Sequence, residues 1–159
     1  MTETGCFYSE YLDRSLSVAL SGDVVCQVAL EPPGSFNARS TAAAVRAVES
    51  YLRGENVDLA TFRVDLGNRS PFERAVLQSV RRISRGRTAT YSELAARLGK
   101  PKTARAVGNA LRHNPVPLFI PCHRVVARSG LGGFSWGVSI KRKLLLLEGV
   151  RSASADQPL

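Results

Sequence analysis

The hydrophobic period of this 159-residue chain changes at about residue 67, and that change restricts the fold more than any other feature. Before it, Phe7–Tyr11, Leu16–Leu20 and Val24–Leu30 are short β-prone runs with Ser21-Gly22-Asp23 as a turn, which predicts an antiparallel meander. Glu31-Pro32-Pro33-Gly34 closes it. Ser40–Arg53 carries apolar residues at near-helical spacing and stops at Gly54. Phe62–Leu66 alternates like one more strand, and Gly67-Asn68-Arg69-Ser70 reads as a linker.

Beyond the linker the period is helical. Ser70-Pro71 is an N-cap followed by proline at the first helical position, with Phe72, Ala75, Val76, Ser79, Val80 and Ile83 on one face and Gly86 as the break. Thr90 and Glu93 form a capping box for a helix over Tyr91–Leu98. Gly99-Lys100-Pro101 turns the chain into a helix over Thr103–Arg112, which Asn114-Pro115 and Pro117 forbid from continuing. Two short helices around a glycine-containing turn are the helix-turn-helix pattern. Gly130, Gly132 and Gly133 make a loop, and Ser139–Leu147 returns to helix with Lys141-Arg142-Lys143 at its start. The expected class is α/β (α+β), with a sheet-plus-helix domain over 1–66, a mostly helical domain over 67–150, and a polar tail over 151–159 without fixed structure.

The net charge is +9 and the sequence pI about 10.2, a balance that favours a nucleic-acid partner over a merely basic surface. Lys100, Lys102, Arg105 and Arg112 surround the small-residue helix Ala104–Ala110, and phosphate contacts need such donors. The 3 cysteines lack CxxC spacing, which argues against a disulfide scaffold and fits a reducing compartment. Cys6 and Cys26 could pair or bind metal. His113 and His123 are the only histidines, so an N-terminal zinc cluster lacks ligands, and both cysteines are expected to be buried structural residues. Met1–Glu10 is polar, and no apolar run approaches the roughly 20 residues that cross a bilayer. A cytoplasmic protein with no membrane association is expected.

Chemistry is concentrated in Pro121-Cys122-His123-Arg124-Val125. Cysteine is a strong nucleophile only as the thiolate, and a neighbouring base or positive charge favours that form. A buried cysteine beside a structural histidine is the plainer interpretation. Three features weigh against it: the stiff backbone at Pro121, the rigid Asn114-Pro115-Val116-Pro117 segment upstream, and Glu148, a carboxylate able to orient an imidazole in a Cys-His-acid triad. A cysteine hydrolase would use similar parts, but no oxyanion hole or substrate groove is legible.

The run from Asn114 to Val126, Asn-Pro-Val-Pro-Leu-Phe-Ile-Pro-Cys-His-Arg-Val-Val, resembles the active-site signature of the 6-O-alkylguanine-DNA alkyltransferases (methylated-DNA–protein-cysteine methyltransferases). Arg105–Ala110 resembles their recognition helix, and the likeness extends from Ser70 to Gly149. It implies a ribonuclease-H-like first domain and a winged-helix-like second one. It implies direct-reversal DNA repair: irreversible, single-turnover transfer of a methyl or alkyl group from the 6-oxygen of guanine to Cys122. His123 would deprotonate the thiol through a water, Glu148 would hold the imidazole, Asn114 would support the active-site turn, and Tyr91 would give the base a proton. The target base would be flipped out of duplex DNA with Arg105 filling the gap, and Tyr91, Ser92, Lys100 and Arg128 would also contact the DNA. The Val125 carbonyl and the Ser135 hydroxyl would read the guanine edge, with Trp136 beside it. Trp136 stands where some members carry glycine, which implies a preference for methyl over benzyl adducts, and Phe134 where many carry tyrosine. No cofactor and no metal are implied, and a monomer is expected. The rival from another class is a damage sensor that binds the lesion without reacting.

Overall fold

The computed structural model describes residues 1–35, 40–154 and 157–158. It is a mixed α/β structure with a small antiparallel sheet and, among the described residues, five α-helices, in two compact units. Residues 1–67 and 115–119 make the first unit, and 68–114 and 120–159 the second.

In the first unit, β1 (Thr2–Ser9), β2 (Arg14–Ser21) and β3 (Val24–Glu31) form the expected meander in the order β1-β2-β3. Leu16, Val18 and Leu20 of β2 are buried at every second position, the period of a strand with one face on a core. Leu12, Val25 and Val28 are buried as well, and so are Ala44, Val45, Val48, Tyr51 and Leu52 of α1 (Ala43–Leu52), which packs on β1. Gly5 on β1 admits this packing, since a Cβ there would stand 2.6 Å from Val45 Cγ2. The first strand starts at Thr2, earlier than its apolar pattern: its polar half is held by backbone pairing to β2 and leaves its side chains exposed.

Phe62–Leu66 does not form the expected strand. Only a single parallel bridge, Val25 to Val64, is made, through Val25 N–H to Arg63 O (2.9 Å) and Asp65 N–H to Val25 O (2.8 Å). An Asp58-capped 3-10 turn at Leu59–Thr61 precedes it, and Asp65 turns the chain by accepting from Gly67 N–H, so little of the segment stays extended. Pro115–Phe119 joins this unit from far along the sequence: Val28 N–H donates to Pro115 O (3.0 Å), and Phe119 packs edge-on to Phe62 at 5.6 Å. Cys6 is buried as expected, but Cys26 is only half-buried, because the register shift beside Leu20 lies at its position; all three cysteines are free thiols.

In the second unit, α2 (Pro71–Arg81) opens with a capping box between Ser70 and Glu73 and buries Val76, Leu77 and Val80. It ends at Arg81, ahead of Gly86. β4 (Ala89–Thr90) leads directly into α3 (Tyr91–Arg97), whose Thr90–Glu93 capping box is present as the sequence predicts. α4 (Ala104–Arg112) buries Val107, Ala110 and Leu111 and packs against α2 and α3. β5 (Val125–Val126) pairs in parallel with β4, and α5 (Val138–Leu147) closes the unit, with Leu145 packed on Val126 and Val150. The tail corrects another expectation: β6 (Ser152–Ser154) pairs with β7 (Gln157–Pro158) through the backbone, which needs no apolar side chains. Residues 155, 156 and 159 of that tail lie outside the described residues.

The charge divides between the units. The first holds 5 lysines and arginines against 9 acids, a net −4, and the second 17 against 4, a net +13. Among the described residues, no helix is long and apolar enough to cross a membrane.

Candidate active site

The end of α4 sets the position of the first polar group. Asn114 closes the last turn through its N–H to Leu111 O, and Pro115 stops the helix there. The buried Asn114 side chain then uses its Nδ2 for two bonds, to Ile120 O (2.9 Å) and to Cys122 Sγ (3.2 Å). Between these acceptors Pro121 holds a tight bend, closed by Cys122 N–H to Ile120 O (2.8 Å), before the 3-10 turn Cys122–Arg124. The thiol is therefore pointed by backbone stiffness and one amide and is only 5% exposed.

His123 is fully buried, with Nε2 2.8 Å from Glu148 Oε1 at the end of α5. The carboxylate also accepts from Arg124 Nε (3.0 Å), Arg124 Nη2 (2.8 Å) and the Gly86 N–H (3.3 Å). Arg124 bonds onward to Ile83 O. Burial alone would raise Glu148, but the bonds and charges of His123 and Arg124 more than reverse it and hold the carboxyl well below its usual range. Burial pushes His123 down, against the pull of Glu148. Arg124 already neutralises the carboxylate, so the imidazole is neutral. Its Nε2 carries the proton donated to Glu148, which makes Nδ1 the basic nitrogen. Burial also pushes the Cys122 thiol up, while Asn114, Lys141 and the backbone N–H groups of Cys122 and His123 pull it back. The resting state is a thiol and a neutral imidazole on adjacent residues.

Tyr91, the first residue of α3, lies between two glycines. A Cβ on Gly108 of α4 would stand 3.6 Å from the ring, and one on Gly132 would stand 2.9 Å away. The first is an ordinary contact and the second a clash, so it is the glycine at 132 that admits the tyrosine ring. The Tyr91 hydroxyl donates to Gly133 O (3.3 Å). Burial and the nearby Cys122 raise its pKa, with Gly133 opposing, so it remains a proton donor.

A groove of about 1010 Å³ joins these parts, lined by Tyr91, Ser92, Arg105, Asn109, Arg112, Cys122, Arg128, Phe134 and Ser135, among others. Of the residues singled out in the sequence, Asn114 with Cys122 and His123 with Glu148 form two hydrogen-bonded pairs joined by the Cys122–His123 peptide, and Tyr91, Ser92, Arg105, Arg128 and Ser135 line the groove. Lys100 is not brought there; its ammonium lies 5.5 Å over the Phe72 ring. Trp136 lies one ring back, edge-on to Phe134 at 5.9 Å, and Phe134 is edge-on to His123 at 6.4 Å. Val125 is buried, and its carbonyl already accepts from Lys141 Nζ. Sequence reasoning missed Lys141, noting it only as one of three cations at the start of a helix. Its spacing to Leu144, Leu145 and Glu148 was the available signal, because i, i+3, i+4 and i+7 share a helix face. Among the described residues no group of three His, Cys, Asp or Glu side chains is placed to hold a metal.

Residues 71–150 match the family model of the 6-O-methylguanine DNA methyltransferase DNA-binding domain. The chain is 52% identical over 103 residues to the methylated-DNA–protein-cysteine methyltransferase of Sulfolobus acidocaldarius, covering 64% of this chain and 63% of the relative. It is 42% identical over 114 residues to that of Mycolicibacterium paratuberculosis, covering 70% and 67%. The chain thus spans less than two thirds of the length of the first of these relatives. Solved structures match over more of it: the Mycobacterium tuberculosis O6-methylguanine methyltransferase at a TM-score of 0.76 and 30% identity over 93% of both chains, and the same organism's OGT in complex with DNA at 0.77 and 30% over 92% of both. The family model covers half of the chain and the structural likeness more than nine tenths of it, and the chain belongs to the 6-O-methylguanine-DNA methyltransferase family.

Proposed function

We propose that this chain repairs DNA by direct reversal, moving a methyl or other small alkyl group from the 6-oxygen of guanine onto Cys122 in a single irreversible turnover. The observation that carries the reading is the Asn114–Cys122 and His123–Glu148 cluster at a groove lined by arginines of a helix-turn-helix. Close relatives named methylated-DNA–protein-cysteine methyltransferase support it, as does the DNA complex of a structural neighbour.

The chemistry follows from the protonation states. His123 Nδ1 takes the thiol proton through a water. The thiolate attacks the alkyl carbon, the carbon–oxygen bond breaks, and its electron pair stays on the guanine. Tyr91 supplies a proton to the base. In net terms the thiol proton is exchanged for the alkyl group, and no cofactor takes part. Asn114 donates to the sulfur as its charge grows, a charge-assisted bond stronger than a neutral one. Duplex DNA with an alkylated guanine is the partner. Arg105, at the exposed N-terminal end of α4, occupies the place of the flipped base, while Tyr91, Ser92, Lys100 and Arg128 contact the DNA. Val125 O and Ser135 read the guanine edge, with Trp136 behind Phe134. We read the first domain (1–66) as ribonuclease-H-like and the second (67–150) as winged-helix-like, in a cytoplasmic monomer.

The test is intact mass and peptide mapping after incubation with duplex DNA carrying one 6-O-methylguanine. One added methyl on Cys122, stopping at one per chain, is expected. Tight lesion binding with no mass change would replace this reading with that of a damage sensor, and neither binding nor transfer would remove both.

A further inference from the structure

Lys141 is 0% exposed, yet among the described residues no carboxylate lies within ion-pair distance of it. A buried cation without a counter-ion costs stability, and a methionine of similar length would fill the space more cheaply. Its ammonium is instead spent on two backbone carbonyls, Val125 O beside the cysteine turn and Gly133 O in the glycine loop (3.0 Å). It also stands 6.0 Å from the centroid of the Tyr91 ring. Burial pushes its pKa down to about 8, so it is mostly charged at neutral pH.

The loop it holds is intrinsically soft. Gly130, Gly132 and Gly133 fall within four residues, and glycine loses more conformational freedom on ordering than any other residue. Yet this loop carries Phe134 and Ser135 to the groove, and Gly132, at φ +70°, lies against the Tyr91 ring. Gly133 O accepts from both Lys141 and Tyr91. A carbonyl already bonded to an ammonium does not depend on the phenol, and the Tyr91 bond is correspondingly long at 3.3 Å. Lys141 thus fixes the loop while leaving the phenol proton transferable.

We propose that Lys141 is a positioning residue for alkyl transfer: its buried ammonium pins the Gly132–Gly133 turn to the Val125 carbonyl and so sets Tyr91 and the groove wall against the reacting base. The proposal rests on the transfer reading above. It differs from a purely structural role because Lys141→Met should spare the fold and harm the reaction.

The experiment compares wild type, Lys141→Met and Gly132→Ala. It measures single-turnover transfer from 6-O-methylguanine duplex at saturating and subsaturating DNA, Cys122 modification by iodoacetamide, and thermal melting. Lys141→Met should melt at or above the wild-type temperature and bind DNA within roughly threefold. Its saturating transfer rate should fall about 100-fold, the scale of an ångström-sized misplacement. Its iodoacetamide rate should fall less than about fivefold, since the small probe needs neither the loop nor Tyr91. Gly132→Ala, which displaces the Tyr91 ring directly, should slow transfer in the same way, and the double variant should be little slower than the slower single one. Transfer by Lys141→Met within about threefold of wild type overturns the proposal. So does an equal loss of transfer and iodoacetamide reactivity, which would place the effect on the thiol. Additive losses in the double variant overturn it as well, and if Lys141→Met does not fold, undiminished transfer in Gly132→Ala decides against it. Wild-type protein that transfers no methyl fails at the underlying reading instead, a result visible before any variant is made.

Discussion

Replacing Glu148 by glutamine tests the polar cluster with a change of one atom. The Glu148 side chain is 0% exposed and accepts from His123, the Arg124 guanidinium and the Gly86 N–H. A glutamine has one acceptor oxygen and one donor NH2. Turned so that its oxygen meets His123 Nε2, it aims its NH2 at the Arg124 donors; turned the other way, it aims the NH2 at the histidine proton. Either way a donor faces a donor, and the guanidinium, with 12% exposure, loses its anion. Removing one partner of a buried ion pair costs about 3–5 kcal/mol. Slight solvent access and the remaining Arg124 bond to Ile83 O favour the lower end, about 3 kcal/mol. For a chain of this length each kcal/mol moves Tm by about 2–4 °C, so Glu148→Gln should melt about 6–12 °C below wild type. Calorimetry at pH 7 on wild type, Glu148→Gln, Arg124→Met and the double variant measures this. The double variant should recover part of the loss, because the stranded charge is gone. A single-variant Tm within about 2 °C of wild type, or fully additive losses, would refute the argument from an uncompensated buried charge.

Other outcomes follow from the same geometry. Asn114→Ala removes a donor worth about 1.5–3 kcal/mol to a charged acceptor, so single-turnover transfer should slow by roughly 10–100-fold; an unchanged rate would mean the amide does not serve the thiolate. His123 is held below its unfolded value of about 6.5 by burial, so below that pH the unfolded chain binds more protons than the folded one. The urea midpoint should therefore fall as pH drops from about 7.5 to 5.5, with the depressed Glu148 adding its loss below about 4.3; a rising midpoint would reverse the assignment of a neutral imidazole. Arg105→Ala and Arg128→Ala should each lower the salt-dependence slope of DNA binding by about 1, whereas Arg14→Ala in the acidic first unit should leave it unchanged. Trp136→Gly should raise transfer of benzyl relative to methyl groups, and an unaltered ratio would remove the ring from any part in adduct size.

The parts of the fold legible in advance are those whose cause is local. The Ser70–Glu73 and Thr90–Glu93 capping boxes start α2 and α3 where the spacing predicts, and Pro115 stops α4, because caps and prolines act within one turn. The meander is visible because β2 alternates on one buried face. Phe62–Leu66 alternates equally well but makes one bridge, because a strand also needs a neighbour in register, which its own residues do not specify. The β6–β7 hairpin escaped notice for the converse reason: it rests on backbone pairing and leaves no apolar pattern.

The site divides along the same line. Sequence alone determined the adjacent cysteine and histidine, the stiff bend at Pro121, the asparagine at a helix end and the excess of basic charge, since all are covalent neighbours or sums over the chain. The Glu148–His123 pairing is an expectation from the sequence, but only the tertiary structure decided that Arg124 joins the pair and keeps the imidazole neutral, and that Gly132 makes room for the Tyr91 ring. It also decided that one lysine of a basic run is buried while its neighbours are not. A side chain's charge state and contacts depend on what packs around it, and packing brings together residues that the chain order keeps apart.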